Sequence, residues 1–270
     1  MNALAEWALR QTLRYQYASP AQGLQHQLIV VPRTSHGDQI LVDHSVVVNG
    51  AAARIRARTD AFGNNVLDVR ADRVNDFIEF VLFALVRRDG PGGVTPVPTP
   101  VGRRHYAGRP LTQPDEFLVA VARQLQARHG GGLSFAEAAC TWTHLALSYE
   151  HDVTTVSTTA AEAVAGGRGV CQDFAHVMLA LCRAAGVAAR YVSGHLAGEG
   201  GSHAWVEVVV GSLAVAYDPT HDRRAHSGYL TVAIGRDYAD VAPTSGRFHG
   251  DGPGVLKTTK TLEPATPAPA

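Results

Sequence analysis

Cys171 is where nucleophilic chemistry would begin. It follows Gly169-Val170 and opens the segment CQDFAHVMLALCRAAG, whose apolar positions Ala175, Met178, Leu179, Cys182 and Ala185 recur at helical spacing, with Gly186 as the stop. A thiol at a helix start faces unpaired backbone N–H groups and the positive end of the helix dipole. Both favour the thiolate, and the same N–H groups can hold an oxyanion on a substrate carbonyl. His203 opens a strand-like run, HAWVEVVV, and Asp218 closes another, LAVAYDPT, across the hairpin signal Gly211-Ser212. Antiparallel pairing around that turn puts position 203 opposite a residue near 220, so Asp218 lies beside His203. A carboxylate there fixes the imidazole's tautomer and stabilises its cation, leaving the other ring nitrogen for the thiol. The three residues read as a Cys-His-Asp triad.

Other polar residues near these positions carry weaker signals. Gln172, Trp205, Tyr238 and Asp240 are candidates to line a substrate cleft, against ordinary packing or loop roles. Asp173, in the first helical turn, reads as a capping and dipole residue, and His176 as a hydrogen-bonded structural histidine. Cys140 and Cys182 sit in apolar surroundings and read as core. His195, His221 and His226, with His203 and Asp218, raise a metal alternative, but their spacing matches no short ligand motif; no metal and no cofactor are expected. Gly166-Gly167-Arg168-Gly169 lacks a following Lys-Ser/Thr, so it reads as an entry to the nucleophile rather than a phosphate loop.

The elements that must position this chemistry fall into two halves. Residues 1–90 hold short Val/Ile/Thr-rich runs separated by turn residues, among them LQHQLIVVP, QILVDHSVVVN, AARIRART and VLDVRA, and they predict an antiparallel β-sandwich. FIEFVLFALVRR is ambiguous by period and is read as a strand because strands precede it. Residues 91–112, beginning PGGVTPVPTP, read as a linker. Residues 113–262 then turn helical. One helix starts at Pro114-Asp115-Glu116 and runs to His129. A second starts at Ser134 and runs through WTHLALSYE, and a short third spans residues 158–165. The Cys171 helix and three strands complete an α+β unit, and residues 263–270 read as a disordered tail.

Composition excludes several classes. The 270 residues carry 24 Lys plus Arg against 24 Asp plus Glu, so no charge bias points to nucleic acid. No apolar run approaches the ~18–20 residues of a membrane span. Three cysteines without C-x-x-C spacing argue against a disulfide framework or zinc ribbon. The first fifteen residues lack the pattern of a signal peptide, so a cytoplasmic address is expected.

The stretch GVCQDFAHVMLALCRAAGVAARYVSGH, followed by SHAWVEV and YDPT, resembles the bacterial branch of the transglutaminase-like superfamily. LRYQYASPAQ, HQLIVVPR and DAFGNNV are similar to the β-rich domain that precedes that catalytic module, and GRDYADVAPTSG is similar to a further segment of the branch. The resemblance implies a papain-like catalytic fold, with Cys171 as nucleophile, His203 as acid/base and Asp218 as orienting carboxylate. It further implies amide, peptide or isopeptide hydrolysis through a thioester. Acyl transfer to an amine, and a non-catalytic binding module on the same fold, remain the alternatives. The implied partner is a peptide or protein substrate, and the edges of the sandwich leave a homo-oligomer open.

Overall fold

The computed structural model describes residues 5–97 and 106–265. Seven strands occupy the first ninety residues: β1 (Ala5–Gln16), β2 (Ala21–Leu28), β3 (Ser35–His36), β4 (Gln39–Asn49), β5 (Arg54–Thr59), β6 (Asn65–Val74) and β7 (Phe77–Arg88). In β7 every second residue is buried, from Ile78 and Phe80 through Leu82 and Ala84 to Val86, which is the period of a strand with one face in a core. β1 alternates likewise, burying Leu9, Gln11 and Leu13, although AEWALRQTLRYQ carries no strand signal by composition.

After β8 (Val94–Pro96) come α1 (Glu116–His129), α2 (Gly132–Ala146), β9 (Ser148–Tyr149), α3 (Ala160–Gly166), β10 (Arg168–Gly169) and α4 (Cys171–Ala184). These are followed by β11 (Ala189–Leu196), β12 (His203–Val210), β13 (Leu213–Asp218), β14 (Arg223–Arg224), β15 (Tyr229–Gly235), α5 (Tyr238–Val241), β16 (Thr244–His249) and β17 (Val255–Pro264). The antiparallel sheets of the sandwich run β17-β1-β7-β4-β3 and β16-β2-β6-β5, and the C-terminal sheet runs β14-β13-β12-β11-β15, with β8 also on β13. The architecture is α+β, a papain-like, transglutaminase-like unit behind an antiparallel sandwich. α4 is buried almost all round, packed on β11 and β12 and ringed by α1, α2 and α3.

Several boundaries differ from those the sequence predicts. α2 begins at Gly132 and Ser134 lies inside it; it stops at Ala146 because Ser148-Tyr149 pairs in parallel with Arg168-Gly169. α3 is capped by Thr159, whose hydroxyl accepts from Glu162 N–H while the Glu162 carboxylate accepts from Thr159 N–H. Part of the expected linker, Val94–Pro96, adds a strand to the C-terminal sheet, and residues 98–105 lie outside the described residues. A fourth long strand, β15, lies next to β11. The expected unit 113–262 does not follow the strand pairing, since β16 joins β2 and β17 joins β1. Glu263 and Pro264 of the expected tail end β17, while 266–270 lie outside the described residues.

Two amide side chains of the sandwich, Gln39 and Asn64, close the outer edge of β15. Gln39 donates to Thr231 O and accepts from Thr231 N–H, both at 2.8 Å; Asn64 donates to Ile234 O at 2.8 Å and accepts from Ile234 N–H at 2.9 Å. Each acts as one residue of an added strand, so the edge's backbone groups stay satisfied. Nearby, buried Glu207 of β12 receives Arg190 at 2.6 Å and His36 of β3 at 2.6 Å. Burial alone would raise the Glu207 carboxyl, but His36 and Arg190 hold it well below the ordinary carboxylate range. A depressed acid contributes stability above its unfolded value, and that contribution is lost as pH falls through the folded value. Glu207→Gln leaves the Arg190 cation without its counter-charge and is expected to cost about 3 kcal/mol. Breaking the exposed pair Arg54–Asp72 by Arg54→Ala is expected to cost under about 0.5 kcal/mol. Urea melts of the two variants check the contrast.

Candidate active site

Asp173 builds the first corner of the site. Its Oδ2 accepts Val170 N–H at 2.8 Å and the Thr154 hydroxyl at 2.6 Å, closing the start of α4 and tying it to the preceding loop. A Cβ at position 169 would lie 2.5 Å from that oxygen, so Gly169 is the residue that lets this cap form beside the nucleophile. Gln172 is directed to the same loop, donating to Val156 O at 3.3 Å. Cys171, the first helical residue, is partly exposed, with Sγ 4.0 Å from Ser202 O.

The β12–β13 hairpin builds the second corner. Val206 pairs with Tyr217 and Glu207 with Ala216, the register expected from the Gly211-Ser212 turn. His203 Nε2–H donates to Asp218 Oδ2 at 2.7 Å, which leaves Nδ1 free of the carboxylate, and the Cys171 thiol lies close enough to the ring to raise its pKa. Burial on its own would push the imidazole down. The hydrogen bonds to Asp218 and Cys171 and their charges outweigh it, and the His203 pKa is pushed up to about 10. The structure therefore brings Cys171, His203 and Asp218 together, with the carboxylate on Nε2 of the ring and the thiol beside that ring.

Asp218 is fully buried and saturated with donors. Its Oδ2 also accepts Tyr229 O–H at 2.6 Å and His221 Nδ1–H at 2.8 Å, and its Oδ1 accepts Thr220 N–H at 2.9 Å. Burial would raise this acid, yet the donors and the His203 charge hold it well below the ordinary carboxylate range. Tyr229 is itself held by Arg223 Nε at 2.9 Å. Tyr229→Phe removes one short charge-assisted bond and is expected to lower kcat about 5–10-fold, checked by steady-state kinetics.

The other candidates stand apart from the triad. Trp205 is buried on the His203 face of β12, its ring 6.1 Å from the His203 ring and edge-on to Tyr229 at 5.3 Å, so it supports the imidazole from the core side. Tyr238 N–H donates to His176 Nε2, and Asp240 is paired with Arg236 at 2.7 Å. His176 is buried and pushed down to about 3 by desolvation, as is His195. His226 accepts Gly228 N–H. Of the histidines considered for a metal, His221 joins His203 and Asp218, with ligand atoms within 4.8 Å of one another. Those atoms are the ones already hydrogen-bonded through Asp218 Oδ2. Burial pushes the Cys140 thiol well up and the Cys182 thiol up to about 12.

Tyr229, Glu199 and Tyr149 carry no sequence signal as neighbours of the triad, and His221 carries one only as a metal candidate. Tyr229 and His221 share Asp218, and Glu199 of the β11–β12 loop lies 3.4 Å from His203 Nδ1 and 3.2 Å from His221 Nε2. Half-exposed Tyr149 stands within electrostatic range of both Cys171 and Glu199. A tyrosine or glutamate in a loop has no spacing signature, and only the pairing of β11, β12 and β15 assembles them.

A thiol at a helix start beside a buried imidazole bonded to a carboxylate is the arrangement that the resemblance implies. Residues 119–219 match the transglutaminase-like superfamily, and residues 7–86 match the bacterial transglutaminase-like N-terminal region. Residues 119–219 thus carry a transglutaminase-like core, behind a region like the N-terminal part of bacterial transglutaminase-like proteins. An uncharacterised protein of Mycobacterium leprae (strain TN) is 41% identical over 125 residues, which cover 43% of this chain and 44% of that protein. An uncharacterised protein of Mycobacterium tuberculosis (strain ATCC 25618 / H37Rv) is 35% identical over 159 residues, covering 53% of this chain and 46% of that one. The chain thus spans less than half the length of the curated relatives it matches. A cysteine-protease candidate from Cytophaga hutchinsonii shares the fold, with a TM-score of 0.75 at 20% identity over 100% of this chain and 93% of that one. Among the described residues no helix is long and apolar enough to cross a membrane.

Proposed function

We propose that this chain hydrolyses an amide bond, peptide or isopeptide, in a peptide or protein substrate through a thioester on Cys171. The observation that supports the reading is the buried His203 ring, bonded through Nε2 to Asp218 and lying beside the Cys171 thiol at the start of α4. The thiolate attacks the carbonyl carbon, and the oxyanion forms at the N-terminus of α4, where backbone N–H groups are free of intrahelical partners. The C–N bond then breaks as the His203 Nδ1 proton passes to the departing nitrogen, leaving the thioester. Water adds to the thioester while His203 takes its proton, the C–S bond breaks, and the thiolate–imidazolium pair is restored with release of the acid. An amine in place of water gives acyl transfer by the same steps. A binding module has no need of a donor-saturated Asp218 behind an imidazole, which favours catalysis. The test is incubation with peptide and isopeptide libraries, with and without a primary amine, read by mass spectrometry. New carboxylate termini that require Cys171 support hydrolysis; amide adducts outnumbering acids shift the reading to transfer. The absence of any turnover or acyl adduct overturns it.

A further inference from the structure

In the mechanism proposed above a departing amine takes its proton from His203 Nδ1, the nitrogen that Asp218 leaves free, and that atom has a carboxylate neighbour of its own. Glu199 Oε2 lies 3.4 Å from it, while Glu199 Oε1 lies 3.2 Å from His221 Nε2. The Glu199 side chain is about one-third exposed, at 35%, so it meets both the imidazole and solvent. It sits in the segment Ala197-Gly198-Glu199-Gly200-Gly201-Ser202. Gly198 there has φ +88°, and none of the three glycines would bring a Cβ within 4 Å of a neighbour, which leaves the carboxylate room to adjust around a guest. The far end of the loop is fastened by Lys260 Nζ donating to Gly201 O at 2.8 Å, and Ser202 O lies against the thiol. The groups facing Glu199 are thus His203, His221, Tyr149 and, from β17, Lys260.

From this placement, and resting on the amide-cleaving reading above, we infer that Glu199 is the residue that recognises the amine half of the substrate as its ammonium. When the C–N bond breaks and the Nδ1 proton moves to nitrogen, positive charge grows within reach of the Glu199 carboxylate, which is already oriented there. The released R–NH2 gains a proton from water and is held as R–NH3+ by a charge-assisted hydrogen bond. In the reverse sense an ammonium docks on Glu199, loses a proton to water and attacks the thioester, breaking C–S and forming C–N. An ester's leaving group is an alcohol, which develops no such charge and gains nothing from Glu199. The residue is therefore a selector of amides over esters.

Two measurements on the full chain test this. In Glu199→Gln the ratio of kcat/KM for an alkyl amide to that for the matching alkyl ester is expected to fall about tenfold, with partial recovery in Glu199→Asp. A ratio that stays within about twofold of the parent overturns the inference, whatever happens to either rate alone. In the Cys171→Ala protein, n-propylammonium is expected to move the imidazole signals of His203 and His221 saturably in NMR spectra at fixed ionic strength. Propan-1-ol should not do so, and the additional change Glu199→Gln should abolish the response. Failure of n-propylammonium to move those signals, or an undiminished response without Glu199, overturns the inference. If the parent protein turns over neither amide nor ester, the hydrolase reading fails, and the titration still decides the role of Glu199.

Discussion

Cys171→Ala is expected to lower kcat by about 10^4-fold or more, the loss seen when the nucleophile of a covalent mechanism is removed. The reason lies in the division of labour at the site. His203 and Asp218 hold and move a proton, but only sulfur forms the bond that stores the acyl group. The side chain is partly exposed and its contact with Ser202 O is a long one, so the fold loses little; a stability change within about 1 kcal/mol is expected. Steady-state kinetics, a urea melt and intact-mass detection of the acyl adduct check the three parts together. Cys171→Ser is expected to fall almost as far, because the imidazole cannot ionise a hydroxyl as it does a thiol.

Asp218→Asn should have the second largest effect, and it changes the shape of the pH profile as well as its height. In the parent, His203 is pushed up to about 10, so the imidazolium that stabilises the thiolate and protonates the leaving amine persists to that pH. The sign follows from linkage: a histidine raised by its partners contributes stability that is complete below its unfolded value and is lost as pH rises through the folded one. Asp218 is the opposite case, contributing above its unfolded value and losing that contribution as pH falls. The amide of asparagine carries no charge, and its NH2 cannot accept from His203, His221 and Tyr229 as Oδ2 does. The alkaline limb of kcat/KM is therefore expected to move from near pH 10 toward about pH 6.5, with kcat down by roughly 10^3–10^4-fold. A limb that stays in place would mean that Asp218 does not govern the imidazole.

What was legible in the sequence follows from where each signal is stored. The triad could be read because each member sits at the end of an element: Cys171 at a helix start, His203 at a strand start and Asp218 at a strand end. The hairpin turn between the two strands carries their register with it. β7 was legible through context and alternation. β1 was not, because Ala, Leu, Arg and Gln dominate it and Thr12 is its one β-branched residue; its strand state comes from pairing with β7 and β17. β16 and β17 return to the sandwich through contacts more than two hundred residues apart, and their faces are largely exposed, so no local hydrophobic pattern announces them. The end of α2 was overrun for a similar reason, since Ser148-Tyr149 is drawn off by a strand twenty residues away. Gln172 sits in the first turn beside Cys171 and Trp205 shares a strand face with His203, positions that suit cleft lining as well as packing; in the fold their side chains hold a loop and support the ring. Glu199 and Tyr229 were silent because only tertiary pairing places them at the imidazole.

The pairing of one thiol with one imidazole is tested most directly by iodoacetamide at neutral pH, with the modified cysteines mapped by mass spectrometry. Cys140 and Cys182 are buried, and burial raises both thiols. Cys171 is expected to take the label far ahead of them, and His203→Ala is expected to slow that labelling sharply while leaving the other two untouched. Equal labelling of the three cysteines, or a Cys171 rate indifferent to the loss of His203, would contradict the account.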